Sequence, residues 1–197
     1  MPDSLEAPAE ADRNRLAPWL AIGAIALVTA SALAAMGRLG WCACGEPFPF
    51  SWNVWSAHNS QHLADPYSLS HVLHGFLFFW LFSWLLPRAA AAWKLAASLA
   101  VEAAWELLEN SPVIIQRYRE ATAAVGYEGD TIANSLSDVL FCALGFAVAR
   151  ALGGRRTLAL FLLIELAMLA WIRDNLTLNV LMLLWPLEGL KAWQMGG

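Results

Sequence analysis

Acidic and histidine side chains recur inside apolar segments of this chain, where they cost the most free energy. One apolar segment opens with SLSHVLHG, which contains His71 and His74. The next ends with VEAAWELLEN, and a third opens with DTIANSLSD. If these segments are helices, each polar set lies on one helical face, because residues three or four apart are neighbours there. The other members of these sets are Glu102, Glu106, Glu109, Asp130, Asn134 and Asp138.

Imidazole and carboxylate groups in such a cluster have two kinds of chemistry open to them. One is to hold a divalent metal such as zinc, iron or manganese, all of which accept these ligands. The other is for a carboxyl group to stay protonated, hydrogen-bond to Asn134, Ser137 or Asn110, and act as general acid or base. We expect the metal ligands to be His71, His74, Glu106 and Asp138, and the catalytic carboxylates to be Glu102, Glu106 and Asp138.

The depth of these acids in their segments sets them apart from helix-end residues. With a helical rise of about 1.5 Å per residue, Asp138 lies about 12 Å from Asp130, and Glu102 about 12 Å from Asn110. A charged carboxylate near the centre of a membrane helix costs roughly 2.5–3.5 kcal/mol. These acids therefore need protons, cations or one another for neutralisation. Capping by Asp130 and interhelical hydrogen bonding by the deeper acids are the structural alternatives.

Other polar residues are less clearly tied to this cluster. Glu165 has no acidic partner on its own segment, so it is either a lone protonated acid or a functional one. His58 and His62 are expected to be solvated, with His62 able to swing in as a ligand. Cys42 and Cys44 form a C-x-C pair, and three cysteines are too few for a disulfide framework. A metal or redox role for that pair stays open.

Long apolar blocks must position these residues, and their lengths suit a membrane. Of 197 residues, 59% are hydrophobic and 14% charged, against roughly 45–50% and about 25% in soluble domains. A helix needs about 20 residues to cross a bilayer. The last predicted helix is short and contains Pro186, so it is expected to tilt, kink or cross only partly. The predicted helices cover residues 16–37, 68–86, 90–110, 131–152, 157–172 and 176–190.

The predicted fold is an all-α, polytopic membrane helical bundle of about six transmembrane helices. With the N-terminus and C-terminus in the cytoplasm, eight of the 12 Lys and Arg residues lie on the cytoplasmic side, as the positive-inside rule favours. Residues 1–15 are expected to be a disordered cytoplasmic tail. Residues 16–197 then form one transmembrane domain, with an interfacial, non-cytoplasmic loop at about 39–67. This topology places the polar residues in the outer half of the bilayer.

Three segments resemble signature blocks of a bacterial inner-membrane family described as a domain of unknown function. They are NSQHLADPYSLSHVLHG, EAAWELLENSPVIIQRYR and GYEGDTIANSLSDVLFCALG. The resemblance implies an integral inner-membrane protein and supplies no activity. A weaker likeness is to VanZ-like membrane proteins, with a His, a Glu and an Asp at the ends of successive helices. Here His71 or His74, Glu106, and Asp138 with Gly145 match, while the extra acids and Asn134 depart from that pattern.

We therefore expect a membrane-embedded enzyme whose polar cavity opens to the periplasm. Hydrolysis or group transfer on a lipid or lipid-linked envelope substrate, by metal-activated water, fits these residues. A non-catalytic envelope assembly or scaffold protein is the alternative, as is a proton-linked transporter, which the apolar cytoplasmic halves disfavour. Without a basic patch or a nucleotide-binding glycine loop, no nucleic-acid partner is expected. Substrate-binding residues are expected to be Arg117, Arg119, Asn134 and Arg173.

Overall fold

The computed structural model describes residues 7–122, 124 and 126–196, with side chains from Arg15 onward. Within these residues the fold contains eight α-helices and no strand, which confirms the all-α class. The helices are α1 (Ala7–Ala35), α2 (Ser68–Leu85), α3 (Ala91–Glu109), α4 (Pro112–Ala121), α5 (Ile132–Leu152), α6 (Gly154–Ile172), α7 (Leu176–Leu184) and α8 (Glu188–Gln194).

Three of these helices are long and apolar enough to cross a membrane. They are α1 from Arg15 onward, α2 and α5. Helix α3 has 19 residues but carries one lysine and three glutamates, and charged residues are costly in a bilayer. The structure thus supports a helical membrane protein by length and composition, while the prediction of six spans is not confirmed.

The sixth predicted helix, residues 176–190, is divided in two. Helix α7 ends at Leu184 and α8 begins at Glu188, on either side of Pro186. Proline has no backbone N–H and disfavours a helical conformation in the residue before it; Trp185 accordingly has φ −141° and ψ 84°. The nine residues of α7 rise about 14 Å, less than half of a hydrocarbon core of roughly 30 Å. The predicted helix is thus interrupted around Pro186, the residue for which a kink or partial crossing was expected.

Helix α4 lies between the predicted helices of residues 90–110 and 131–152, where no helix was predicted. The Ser111 hydroxyl oxygen accepts a hydrogen bond from the Ile114 N–H at 3.4 Å, and Pro112 occupies the first turn. A serine cap followed by proline is a usual start for a helix. The polar composition of this segment obscured that signal.

Helices α2 and α5 touch at their backbones, and this contact positions the site. A Cβ atom on Gly75 would lie 2.6 Å from the Phe146 backbone nitrogen, and one on Gly145 would meet the Val72 carbonyl oxygen. Small residues allow such close approach between helices. Leu73 is among the buried residues that fill the core beside the crossing. The histidine-bearing end of α2 is thereby held next to the acidic end of α5.

The segment of residues 39–67 is irregular and folds back on itself. The Ser51 N–H donates to the Ala64 carbonyl oxygen at 2.9 Å, and the Ala64 N–H donates to that of Pro49 at 3.0 Å. Cys42 and Cys44 are joined as a disulfide. The interfacial position of this loop stays a prediction. The disordered tail predicted for residues 1–15 also stays a prediction. Residues 1–6 lie outside the described part of the chain, and residues 7–15 belong to α1.

Candidate functional site

Side chains from α2, α3 and α5 meet in one buried cluster, the His71 cluster, formed by His71, Glu102, Glu106 and Asp138. The His71 Nδ1 atom lies 2.5 Å from Glu102 Oε1 and 3.4 Å from Glu106 Oε1. On the other side of the ring, Nε2 lies 3.8 Å from Asp138 Oδ2. Helical spacing assigned these residues to three different helices, and helix packing brings them together.

Glu102 holds both histidines of α2. Its Oε2 atom lies 3.0 Å from His74 Nδ1, while Oε1 contacts the Nδ1 atom of His71. With both Nδ1 atoms donating to one carboxylate, each ring keeps its Nε2 atom as an acceptor or metal ligand. His74, His71 and Glu102 form one set of possible metal ligands whose ligand atoms lie within 4.8 Å of one another. His71 forms a second such set with Glu106 and Asp138. The four predicted metal ligands therefore fall into two overlapping sets.

Glu106 is the least satisfied polar residue of the cluster. Its side chain is 0% exposed, and neither carboxylate oxygen accepts a hydrogen bond from the described residues. The same holds for Asp138 Oδ1. A buried polar atom without a partner costs roughly 1–3 kcal/mol, and more when charged. His71, Glu106 and Asp138 each place one ligand atom within 4.8 Å of the others. A cation bound by all three would remove this cost.

A cavity of about 70 Å³ with polar and apolar lining residues lies beside the cluster. A single water needs about 10–15 Å³, so the cavity admits a small group or several waters. The chain has three tyrosines, and all of them line this cavity. No role for these tyrosines was predicted from the sequence, although their small number could have drawn attention to them. The residues relevant to chemistry that line it are Tyr67, His71, His74, Glu109, Tyr118, Tyr127, Asp130, Asn134 and Asp138.

Asp130 lines the cavity and belongs to a hydrogen-bonded group. Its carboxylate accepts from Asn110 Nδ2 at 2.9 Å and from the Tyr127 hydroxyl at 2.8 Å. Burial raises the pKa of Asp130 to about 6, against the lowering effect of these two hydrogen bonds. The cap of α5 is Thr131, whose hydroxyl oxygen accepts from the Asn134 N–H at 3.1 Å. The structural alternative in which Asp130 caps this helix is therefore wrong.

Of the four residues predicted to bind substrate, Asn134 lines the cavity and the three arginines do not. Asn134 also ties α5 to the loop, since its Nδ2 atom donates to the His62 carbonyl oxygen at 2.9 Å. Each arginine donates instead to a backbone carbonyl oxygen. The pairs are Arg117 with Leu183 at 2.8 Å, Arg119 with Tyr127 at 2.5 Å, and Arg173 with Trp193 at 3.0 Å.

Two other expectations are corrected by the structure. Glu165 is not a lone acid, because Oε1 accepts the Leu176 N–H at 2.9 Å and Oε2 accepts the Thr177 N–H at 3.2 Å and its hydroxyl. It caps α7, whose first N–H groups lack partners within the helix. His62 is not solvated: it is 1% exposed and stacks on Phe48 with ring centroids 4.4 Å apart.

Comparison with known proteins assigns the family. The family described as "Protein of unknown function (DUF2585)" matches residues 33–196. The chain belongs to this family. Among its relatives, a UPF0314 protein of Sphingopyxis alaskensis is 48% identical over 91% of this chain and 95% of the relative. UPF0314 proteins of Agrobacterium fabrum and Paracoccus denitrificans are 48% and 42% identical, over 93% and 92% of this chain and 93% and 94% of the relatives.

The DUF2585 match includes the whole His71 cluster and most of the chain beyond α1. It confirms the main resemblance found in the sequence. The weaker likeness to VanZ-like proteins is not shown by these comparisons. No solved structure matches the chain.

Proposed function

We propose that this DUF2585 protein is a multi-pass inner-membrane metalloenzyme with both termini in the cytoplasm. It binds a divalent metal at His71, Glu106 and Asp138, and it hydrolyses or transfers a group on a lipid or lipid-linked envelope substrate. The observation that carries the proposal is the pair of buried, unpartnered carboxylate oxygens of Glu106. They lie beside an imidazole and a second carboxylate with ligand atoms within 4.8 Å of one another.

Charge balance supports a cation rather than a fully protonated cluster. Glu102, Glu106 and Asp138 are three acids within contact of a single imidazole, His71. Ionised carboxylates in a low-dielectric interior repel one another and lose hydration energy. A divalent cation offsets two of these charges, and the hydrogen bonds from His71 and His74 stabilise the charge on Glu102.

Each residue of the cluster then has a distinct task. Glu102 fixes the orientation of His71 through Nδ1, which is the usual role of a carboxylate behind a metal-bound imidazole. Three protein ligands leave a position for water, and a bound zinc ion makes such water nucleophilic near neutral pH. His74 contacts Glu102 and lines the cavity, so it is placed to move a proton to or from the reacting group.

The cavity wall supports a substrate with both polar and apolar parts. In addition to the acidic and tyrosine side chains, Trp105, Leu176 and Val180 line the same space. Ligand sites commonly combine an apolar wall with a few polar groups that fix orientation. A lipid-linked molecule reaching the site from the outer half of the bilayer has this chemical character.

Metal analysis of the purified full chain tests the proposal. The Cys42–Cys44 disulfide is kept intact by omitting reductant, so that the metal measured belongs to the His71 cluster. We expect one zinc, iron or manganese ion per chain in the unmodified protein and in Glu188→Gln, a change at an exposed glutamate of α8. Glu106→Gln and Asp138→Asn, with unchanged circular dichroism, are expected to lose it. A folded, metal-free protein after incubation with each ion would overturn the metalloenzyme and favour the scaffold alternative.

A further inference from the structure

A second group of ligating side chains, the Cys–His group, lies in the loop of residues 39–67. Its members Cys42, Cys44, His58 and His62 each place one ligand atom within 4.8 Å of the others. His58 Nδ1 lies 3.2 Å from His62 Nε2 and 3.8 Å from Cys42 Sγ. The group shares no residue with the His71 cluster and lies in a different segment of the chain.

We propose that the Cys–His group binds one zinc ion when Cys42 and Cys44 are reduced. Two thiolates and two imidazoles form the ligand set of closed, four-coordinate structural zinc sites. The four atoms come from two short pairs, C-x-C and H-x-x-x-H, that the loop folds against each other. The site does not depend on metal binding at the His71 cluster.

Backbone donors already point at both sulfur atoms. The Cys44 N–H donates to Cys42 Sγ at 3.2 Å, and the Glu46 N–H donates to Cys44 Sγ at 3.4 Å. Gly45 makes this turn possible with φ +71°, a conformation that costs glycine little. Hydrogen bonds from N–H groups stabilise a negatively charged acceptor, and the thiolate is the form of cysteine that binds metals.

The two imidazoles are held in position by their surroundings. His62 stacks on Phe48, and the ring of Trp41 meets it edge-on with centroids 5.5 Å apart. Two imidazole nitrogens that face each other at 3.2 Å need a proton or a cation between them, because an unprotonated ring nitrogen is an acceptor. A metal ion shared by His58 and His62 satisfies both nitrogens at once.

The disulfide and the zinc-bound form exclude each other. A thiol or phosphine reductant supplies two electrons, the S–S bond breaks, and the two sulfurs take up two protons while the reductant is oxidised. Zinc then forms two Zn–S bonds and releases those two protons. Reoxidation to the disulfide withdraws both sulfur ligands, so the ion is lost.

Zinc at this group would order the loop that forms one wall of the cavity. Asn59 and Ser60, between the two histidines, line the cavity. The Ser60 carbonyl oxygen accepts the Thr131 N–H at 3.1 Å, and Gln61 Nε2 donates to the Gly129 carbonyl oxygen at 2.9 Å. The metal-binding segment is therefore tied to the start of α5, where the acidic residues of the cavity begin.

Cobalt(II) titration of the full chain in detergent tests the proposal, because cobalt replaces zinc and reports sulfur ligands directly. After reduction with a phosphine, we expect a sulfur-to-cobalt charge-transfer band in the near ultraviolet. Its intensity at saturation should correspond to one sulfur-bound cobalt ion per chain, and it should disappear when zinc is added. Imidazole and carboxylate ligands do not produce this band. A result at the Cys–His group is therefore distinguishable from one at the His71 cluster.

Matched variants locate the ligands. Cys44→Ser, at an exposed residue, is expected to lose most of the band. His58→Gln, at a half-buried residue, is expected to need more cobalt to reach the same band, and circular dichroism of both variants stays unchanged. Cys142→Ala removes the third cysteine of the chain and is expected to retain it. Absence of the band in reduced, folded protein would overturn the proposal, as would a band that survives Cys44→Ser and disappears in Cys142→Ala.

Discussion

The His71 imidazole and the Glu102 carboxylate share the shortest contact of the candidate site, 2.5 Å between Nδ1 and Oε1. The same carboxylate also contacts His74 Nδ1 at 3.0 Å. One acid thus orients two rings, while Glu106, one helical turn further along α3, has no hydrogen-bond partner among the described residues. Two glutamates on one face of one helix therefore have different roles, the first orienting and the second available to bind a cation.

Glu102→Gln is expected to weaken metal binding at the His71 cluster without abolishing it. A neutral amide cannot accept charge-assisted hydrogen bonds from both histidines, and loss of a residue that orients a ligand typically costs about 10–100-fold in affinity. A chelator competition titration measures the change, with Glu188→Gln as control. An affinity equal to that of the unmodified protein would show that Glu102 does not orient the ligands.

Gly145→Ala is expected to destabilise the contact between α2 and α5. The added Cβ would meet the backbone of Val72, which cannot move aside as a flexible side chain can, and overpacking of this kind costs roughly 1–3 kcal/mol. Thermal unfolding in detergent measures the loss. Gly23→Ala in α1 is the matched control, since nothing lies within 4 Å of its Cβ position. Equal stability of the two variants would contradict the close helix contact.

Asp174 is expected to make the stability of the fold depend on pH. Burial raises its pKa from 3.8 to about 6, although Tyr67, Gln194 and the Asn175 N–H donate hydrogen bonds to it. The folded state therefore binds this proton more tightly than the unfolded state does. Its stabilising contribution is complete below about pH 4 and is lost as pH rises through about 6, a change of about 3 kcal/mol.

Asp174→Asn removes this titration and keeps a side chain that accepts hydrogen bonds. The difference in unfolding free energy between the two proteins is expected to change by most of that amount, about 2 kcal/mol, between pH 4 and pH 7, in favour of the asparagine variant at the higher pH. Denaturant unfolding of both proteins at several pH values measures it. A difference that is constant with pH would rule out the raised pKa.

Glu165→Ala is expected to lower stability and leave metal content unchanged. The side chain accepts backbone hydrogen bonds from Leu176 and Thr177, and loss of such a cap costs roughly 0.5–2 kcal/mol. Glu165→Gln keeps one acceptor oxygen, so it is expected to lose less. Thermal unfolding and metal analysis of the three proteins test this. Loss of metal in the alanine variant would place Glu165 in the functional site instead.

Spacing along the chain was sufficient to identify most of the His71 cluster. His71 with His74, and Glu102 with Glu106, are three or four residues apart, so a helix places each pair on one face whatever the rest of the chain does. The apolar lengths of these segments likewise predicted the three helices that are long and apolar enough to cross a membrane, α1, α2 and α5. These properties are local, and local periodicity is what a sequence displays.

Contacts between distant segments depended on the tertiary structure. The close approach at Gly75 and Gly145 decides that Asp138 meets His71, and chain reversal after α6 decides that Glu165 caps α7 rather than lining a pocket. The same holds for His62, which the loop buries against Phe48. Composition and spacing determined which residues can do chemistry in this protein. Packing alone decided which of them meet, because side chains far apart in sequence are brought together only by the crossing of helices.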